Sequence, residues 1–245
     1  MKNTEIFTEK ADLYSRYRQG YSEKLIHYLY SHYGIDAGSH IADIGSGTGL
    51  FSKMLLEQGS TVYGIEPNGS MRLIAERDLA TYSSFYSINA TGENTHLSKH
   101  SINFITVVQS FHWLDTERFK SECRRILKQT GKIAIIYNRK CKGSEINIMT
   151  ADLIKKFYPD YKDIINHWEI RERTINDFFG SGCEFVDFEH NIVNNLEEFI
   201  GRSLSASHSK RKKEYVRELE MLFCNFSQEG IVNIPNDTIA YIGGI

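Results

Sequence analysis

Residues Ser39–Asn68 read SHIADIGSGTGLFSKMLLEQGSTVYGIEPN, and this stretch decides the fold. An apolar run, Ile41, Ala42 and Ile44, leads into glycines at alternate positions, Gly45, Gly47 and Gly49. Leu50, Phe51, Met54, Leu55 and Leu56 then recur at helical spacing, and Gly59 closes the segment. A second apolar run, Val62, Tyr63 and Ile65, ends at Glu66. Strand, glycine turn, helix, strand and acid make one half of a nucleotide-binding α/β fold. The glycines let the main chain take positive φ and approach a ligand closely. The helix that follows presents unpaired N–H groups at the turn. Glu66, at the carboxyl end of the second strand, is placed to accept hydrogen bonds from a ribose diol. The dinucleotide pattern G-x-G-x-x-G needs glycine at position 50, where Leu50 stands, which disfavours a nicotinamide or flavin enzyme.

Working outward, Thr8–Tyr33 reads as helix or helices, with Leu25, Ile26 and Leu29 on a core-facing side. After Glu66, Ser70 is the expected N-cap of a helix over Met71–Asp78. Phe85–Ile88 and Phe104–Val108 read as the third and fourth strands, with a polar loop at Ala90–Ser101 between them. Asp115 caps a helix through Leu127, Gln129–Gly131 makes a turn, and Lys132–Tyr137 is the fifth strand. Its nearly unbroken apolar run suits burial on both faces of a parallel sheet. Beyond Asn138 the rhythm changes. Ile146–Phe157, Leu196–Leu204 and Lys212–Phe226 read as helices, Glu184–Val193 and Thr238–Ile242 as strands, and Ile164–Ile170 and Ile175–Phe179 fit either state.

With 245 residues, 41% of them hydrophobic, the chain can bury one large α/β core. A formal net charge of -2 gives no general attraction to nucleic acid or anionic membrane. The run Lys210–Lys213 lacks interleaved aromatics and reads as a solvated helix start. Met1–Lys10 has no apolar signal core, and no run of about 18 apolar residues marks a membrane span. Cys123, Cys141, Cys183 and Cys224 are far apart, which argues against a disulfide framework or zinc site and fits reduced cytoplasmic thiols. The histidines show no metal-ligand spacing.

Five ordered features carry a family resemblance. They are Asp43–Gly49, Glu66-Pro67-Asn68 with Met71 shortly after, Gly92–Thr95, Gln109–Asp115, and Arg124–Lys128 ahead of Gly131. The opening Tyr14–Arg18 has the same look. Over Ala11–Tyr137 the chain resembles the class I S-adenosylmethionine-dependent methyltransferases. Within them it is most similar to the type 11 branch that includes trans-aconitate methyltransferase. The resemblance implies a doubly wound, Rossmann-like α/β fold, with a seven-stranded, mostly parallel sheet and a helical cap. Residues 1–137 would be the cofactor-binding core with an N-terminal helical lid. Residues 138–245 would supply cap segments and the last strands.

The resemblance also implies roles for particular residues. Gly45, Ser46, Gly47 and Gly49 would pack against the methionine part of S-adenosylmethionine, with Asp43 beneath the turn. Glu66 would take the ribose hydroxyls. Pro67, Asn68 and Met71 would flank the adenine, and Thr91 and Gly92 would meet its edge. Gln109 would lie near the sulfonium, and Tyr14 and Arg18 would close over the cofactor carboxylate. Thr91 stands where many relatives carry an acid, and Gln19 where proline commonly follows the arginine. His112 and Trp113 are the candidate catalytic residues at the rim of the site, though both also read as packing residues. His112 is the candidate base for an acceptor that must lose a proton.

The expected function is in-line methyl transfer to a small-molecule carboxylate, hydroxyl or amine, in a cytoplasmic monomer or homodimer with no membrane or nucleic-acid partner. Two alternatives remain open. A nucleic-acid or protein methyltransferase is disfavoured by Gln109-Ser110-Phe111-His112, where base methylation favours an N-P-P-Y-type sequence. A non-catalytic, cofactor-binding regulatory domain would need no visibly different residues.

Overall fold

The computed structural model of the chain describes residues 15–159, 168–180, 182–205 and 212–245. In order, the first half runs α1 (Glu23–His32), β1 (His40–Ile44), α2 (Leu50–Glu57), β2 (Thr61–Ile65), α3 (Gly69–Asp78), β3 (Phe85–Ile88), β4 (Ile102–Val108), α4 (Thr116–Ile126) and β5 (Leu127–Lys140). The second half runs α5 (Glu145–Phe157), α6 (Trp168–Phe179), β6 (Glu184–Glu189), β7 (Ile192–Asn194), α7 (Leu196–Ser205), α8 (Lys213–Phe226), β8 (Val232–Ile234) and β9 (Asn236–Gly243).

Seven strands form one sheet in the order β3-β2-β1-β4-β5-β9-β6. β1 to β5 pair in parallel, and β9 lies antiparallel between β5 and β6. Strand order reverses between β1 and β4, which opens a crevice at their carboxyl ends. Helices cover both faces, so successive β5 residues enter different cores. Ile133, Ile135 and Tyr137 pack with Phe119 and Ile126 of α4 and Ile175 and Phe178 of α6. Ala134 and Ile136 pack with Leu25 and Leu29 of α1 and Phe51 and Leu55 of α2. Two buried faces explain the unbroken apolar run. A third core lies apart from the sheet. Ile146 of α5, Phe199 of α7, Tyr215, Leu219 and Leu222 of α8, and Ile192, Val232 and Ile234 of the two-stranded β7–β8 sheet bury against one another.

Several boundaries differ from the sequence reading, each for a local reason. α3 starts at Gly69 because Asn68, not Ser70, is the N-cap: its side-chain oxygen accepts the Met71 N–H at 3.0 Å. β5 begins at Leu127, and the expected turn at Gln129–Gly131 falls inside an irregularity of the β4–β5 pairing. A Cβ on Gly131 would lie 2.7 Å from Leu127 Cδ2 and 3.0 Å from the Lys128 carbonyl, so the chain folds tightly upon itself there. The expected strand Glu184–Val193 breaks into β6 and β7 at His190, whose N–H donates to the Asn236 carbonyl at 2.8 Å. β8 has three residues, too short to show a period. Ile175–Phe179 is helical, and residues 160–167 lie outside the described residues. Within Thr8–Tyr33, read as helix or helices, the described residues are helical at 15–17 and in α1, with a break at 18–22. Asp115 caps α4 as read, accepting the Arg118 N–H at 3.2 Å. Among the described residues, no helix is long and apolar enough to cross a membrane.

Candidate functional site

The crevice between β1 and β4 is built first from main chain. Gly45, Gly47 and Gly49 all have positive φ, at 66°, 58° and 79°. Gly45 N–H and Ser46 N–H donate to the Ile65 carbonyl at 2.8 and 3.2 Å, pinning the turn to the end of β2. The three glycines answer to different neighbours. A Cβ on Gly45 would lie 2.6 Å from Ser110 Cβ. One on Gly49 would lie 2.7 Å from Leu79 Cδ1, so Gly49 serves the packing of α3. One on Gly47 would meet nothing within 4 Å, because Gly47 faces the open cleft. Tyr21, Gly45, Ser46, Gly47, Leu50 and Val108 are among the residues that line that cleft.

Two carboxylates brace the turn. Asp43 is fully buried, and its oxygens accept the Ser52 and Thr106 hydroxyls at 2.6 and 2.9 Å. Burial pushes its pKa up to about 6, and the two hydroxyls only partly oppose this. Glu66 accepts the Gly47 N–H at 3.0 Å and the Asn68 N–H at 2.8 Å. Burial raises its pKa, against those two backbone donors and the nearby Arg72. An acid fixed by two amides beside an open glycine is pre-oriented to accept further hydrogen bonds from a ligand.

The rim follows β4. Gln109 holds positive φ, 56°, an uncommon state for a side chain with a Cβ and one that gathers at functional sites. Its N–H donates to the Ile136 carbonyl at 2.9 Å. Ser110 Oγ donates to the Ile44 carbonyl at 2.7 Å and locks the rim to β1. A short 3-10 turn, Phe111–Trp113, then inserts Phe111 into the core and leaves His112 and Trp113 outside. Their rings lie 4.6 Å apart, and His112 is 6.3 Å from the Tyr137 ring. His112 is accessible from the cleft yet crowded by protein. Burial, then Arg171, then Arg18 lower its pKa to about 4, so it is neutral at pH 7.

The chain around residue 20 crosses the ends of β5, β6 and β9. The Gly20 carbonyl accepts the Asn138 side-chain N–H at 3.0 Å and lies 3.1 Å from His190 Nε2. Thr238 Oγ1 accepts the Ser22 N–H at 3.0 Å and donates to Asn138 Oδ1 at 2.7 Å. This brings Arg18 to the His112 side of the cleft, where it acts electrostatically on that ring.

Asp43, Gly45, Ser46, Gly47, Glu66, Asn68 and Gln109 therefore gather about one crevice. Met71 is buried behind Asn68, while Pro67 and Thr91 are exposed. Gly92 is buried, and a Cβ there would lie 2.7 Å from Ile44 and 2.8 Å from Leu114. Packing beneath β1 alone demands that glycine. Tyr14 lies outside the described residues. Sequence reasoning did not find the tether residues Asn138, His190 and Thr238. Each looks ordinary until distant parts of the chain meet. Among the described residues, no cluster of His, Cys, Asp or Glu could hold a metal ion.

Residues 42–135 match a family described as a methyltransferase domain, of the type 11 class. An uncharacterized methyltransferase of Mycobacterium tuberculosis is 26% identical over 132 residues, 54% of this chain and 51% of that protein. One from a Geobacillus species is 33% identical over 138 residues, 52% of this chain and 63% of that protein. The match thus spans about half of the mycobacterial relative's length. A solved structure described as a type II methyltransferase, from Anaeromyxobacter dehalogenans, shares the fold. Its TM-score is 0.66 at 19% identity, covering 92% of this chain and 95% of that one.

Proposed function

We propose that this chain, whose residues 42–135 match a methyltransferase domain, is a class I S-adenosylmethionine-dependent methyltransferase that transfers a methyl group to a small molecule. The observation that carries the reading is the turn at Gly45–Gly47, open to the cleft and clamped by Glu66 where strand order reverses. S-adenosylmethionine supplies a methyl group on a positively charged sulfur, which becomes a neutral thioether when an acceptor lone pair takes the carbon. The residues present fit that molecule. Gly45, Ser46 and Gly47 offer main chain without side-chain bulk. Glu66 offers an acid for the ribose, and Asn68 and Met71 would flank the base. Gln109 and Arg18 would face the amino-acid end.

The chain's own work is alignment and exclusion of water. Gln109 and Ser110 fix the rim, and His112, Trp113 and Tyr137 wall the acceptor side. A histidine depressed to about 4 is a weak base, so His112 acts as a neutral hydrogen-bonding group toward the acceptor. Such a site suits an acceptor that needs no deprotonation. The segments after Asn138 complete the acceptor chamber and set its specificity.

Calorimetry with S-adenosylmethionine, S-adenosylhomocysteine and NAD tests the reading. Micromolar binding of the first two, with none of NAD, is expected; binding of NAD alone would overturn it. Tritium transfer from the labelled cofactor into a metabolite pool then identifies the acceptor.

A further inference from the structure

One arginine stands beside Glu66 without touching its carboxylate. Arg72 lies in the first turn of α3, and its Nη1 donates to the Glu66 carbonyl at 2.8 Å and to Asn89 Oδ1 at 3.1 Å. Glu66 directly follows β2, and Asn89 directly follows β3. One guanidinium therefore spans the carboxyl ends of two paired strands. Main chain joins the same ends, where the Glu66 N–H donates to the Ile88 carbonyl at 3.1 Å.

Neither the helix nor the core calls for this arginine. A helix N-terminus carries partial positive charge and favours acids, yet Arg72 adds a cation there. α3 buries Met71, Ile74 and Ala75, while Arg72 stays half-buried. Among the described residues, neither Arg72 nor Glu66 forms an ion pair. The two Glu66 oxygens each accept one amide N–H, Oε1 from Asn68 and Oε2 from Gly47. A carboxylate oxygen can accept twice, so each keeps a place for a ligand hydroxyl. A guanidinium fork on the carboxylate itself would fill those places. Held on the carbonyl instead, Arg72 favours the charged acid from a short distance and leaves its oxygens open. The balance at Glu66 agrees: burial raises its pKa and Asp43 of β1 adds to this, while the two amides and Arg72 of α3 oppose them.

We propose that Arg72 is a positioning residue for the cofactor ribose, which pins the Glu66 main chain against the end of β3 and keeps the carboxylate charged and open to both ribose hydroxyls. The assignment rests on the methyltransferase reading and deepens it at the same site. An ionised carboxylate accepts from both hydroxyls, whereas a protonated one gives up an oxygen as a donor. Arg72 acts only through Glu66. Its second arm, on Asn89, ties the fork to the segment that leads into Thr91 and Gly92.

The test is calorimetry on the full chain with two ligands, S-adenosylhomocysteine and its dideoxy analogue, which lacks both ribose hydroxyls. Wild type should prefer S-adenosylhomocysteine by about tenfold or more. Arg72→Gln should lose most of that preference: binding of S-adenosylhomocysteine weakens about three- to tenfold, and binding of the analogue changes far less. Arg72→Lys keeps the charge without the fork and should keep part of the preference. Glu66→Gln should abolish the preference, and adding Arg72→Gln to it should cost little more, because residues that act as a unit are not additive. As pH falls, the affinity for S-adenosylhomocysteine should fail at a higher pH in Arg72→Gln than in wild type or Arg72→Lys, since Glu66 without its cation takes a proton sooner while Asp43 is common to all three. Should Arg72→Gln fail to fold, Asn89→Ala removes an exposed side chain and one arm of the clamp, and should show the same selective loss at smaller size. Equal weakening of both ligands, the mark of a merely structural arginine, overturns the proposal, and so does an unchanged preference. A wild type that binds both ligands alike overturns it too, because Glu66 would then not serve the ribose. Failure of wild type to bind S-adenosylhomocysteine at all overturns the methyltransferase reading itself.

Discussion

The two sides of the crevice are made of different materials. On the side of β1 and β2, the ligand surface is main chain, and each polar group has a partner within the fold: Glu66 with two amides, Asp43 with two hydroxyls. On the side of His112, the surface is side chain: Trp113, the Tyr137 ring, and Arg171 of α6 over that ring. A surface of main chain is fixed by the sheet and can serve one ligand only. A surface of side chains on added helices can be changed without disturbing the sheet. The difference teaches where selection for a substrate acts.

The largest effect should separate two neighbouring glycines on the main-chain side. Gly45→Ala combines positive φ with a clash against Ser110, and should cost about 2–4 kcal/mol of stability in urea denaturation. Gly47→Ala meets no neighbour, so it should stay within about 1–2 kcal/mol of wild type while binding S-adenosylhomocysteine at least about tenfold more weakly. Equal stability losses in the two variants would break the distinction between a packed and an open glycine.

Asp43 gives the next effect. Its pKa in the folded protein, about 6, lies above the ordinary 3.8, so the folded state holds that proton more tightly than the unfolded state. The resulting stabilisation is complete below about pH 4 and is lost as pH rises through about 6, a decline of at most about 3 kcal/mol. Asp43→Asn should flatten that part of the stability–pH profile. Glu122 runs the other way. Burial raises its pKa, but Arg125 and Thr95 outweigh burial and hold it down to about 2. Its stabilisation is present above about pH 4.5 and fades as pH falls toward 2 in both proteins.

Arg202→Met should leave stability unchanged or raise it by about 1 kcal/mol, because it removes a half-buried cation that has no acid in ion-pair distance among the described residues. Thermal denaturation without ligand would show it, and a loss above about 2 kcal/mol would mean that the guanidinium serves the fold. Trp113, 45% exposed, should matter least to stability. Trp113→Ala should stay within about 0.5–1 kcal/mol in the same melt, while methyl transfer falls because the acceptor wall is gone.

The same contrast explains what could be read from the sequence. The β1–α2–β2 unit was legible because its signals are local: alternate glycines, a helical stripe, an acid at a strand end. Glu66 stood out by its place at a strand end, and Asp43 by the family resemblance. The sequence did not reveal that Gly49 and Gly92 answer to packing, since a glycine that meets a ligand and one that meets Leu79 or Ile44 look alike. The acceptor side was opaque for a further reason. Arg171 stands in no local pattern, because its neighbours Tyr137 and His112 come from distant parts of the chain. Asn138 joins Gly20 across 118 residues, and His190 joins it across 170. No local period encodes such contacts.

The seat of Tyr17 on Gly201 bears on how the protein is made. Tyr17 leaves the ribosome early, but its partner on α7 is 180 residues away along the chain. The β1–β5 strands and their helices can assemble while α7 is still being synthesised. Until then Gly20 can already meet Asn138, but Tyr17 lacks its seat. The crevice between β1 and β4 therefore exists during synthesis before Tyr17 takes its seat on α7. A nascent chain would bind its first ligand while still lacking the wall that selects the second.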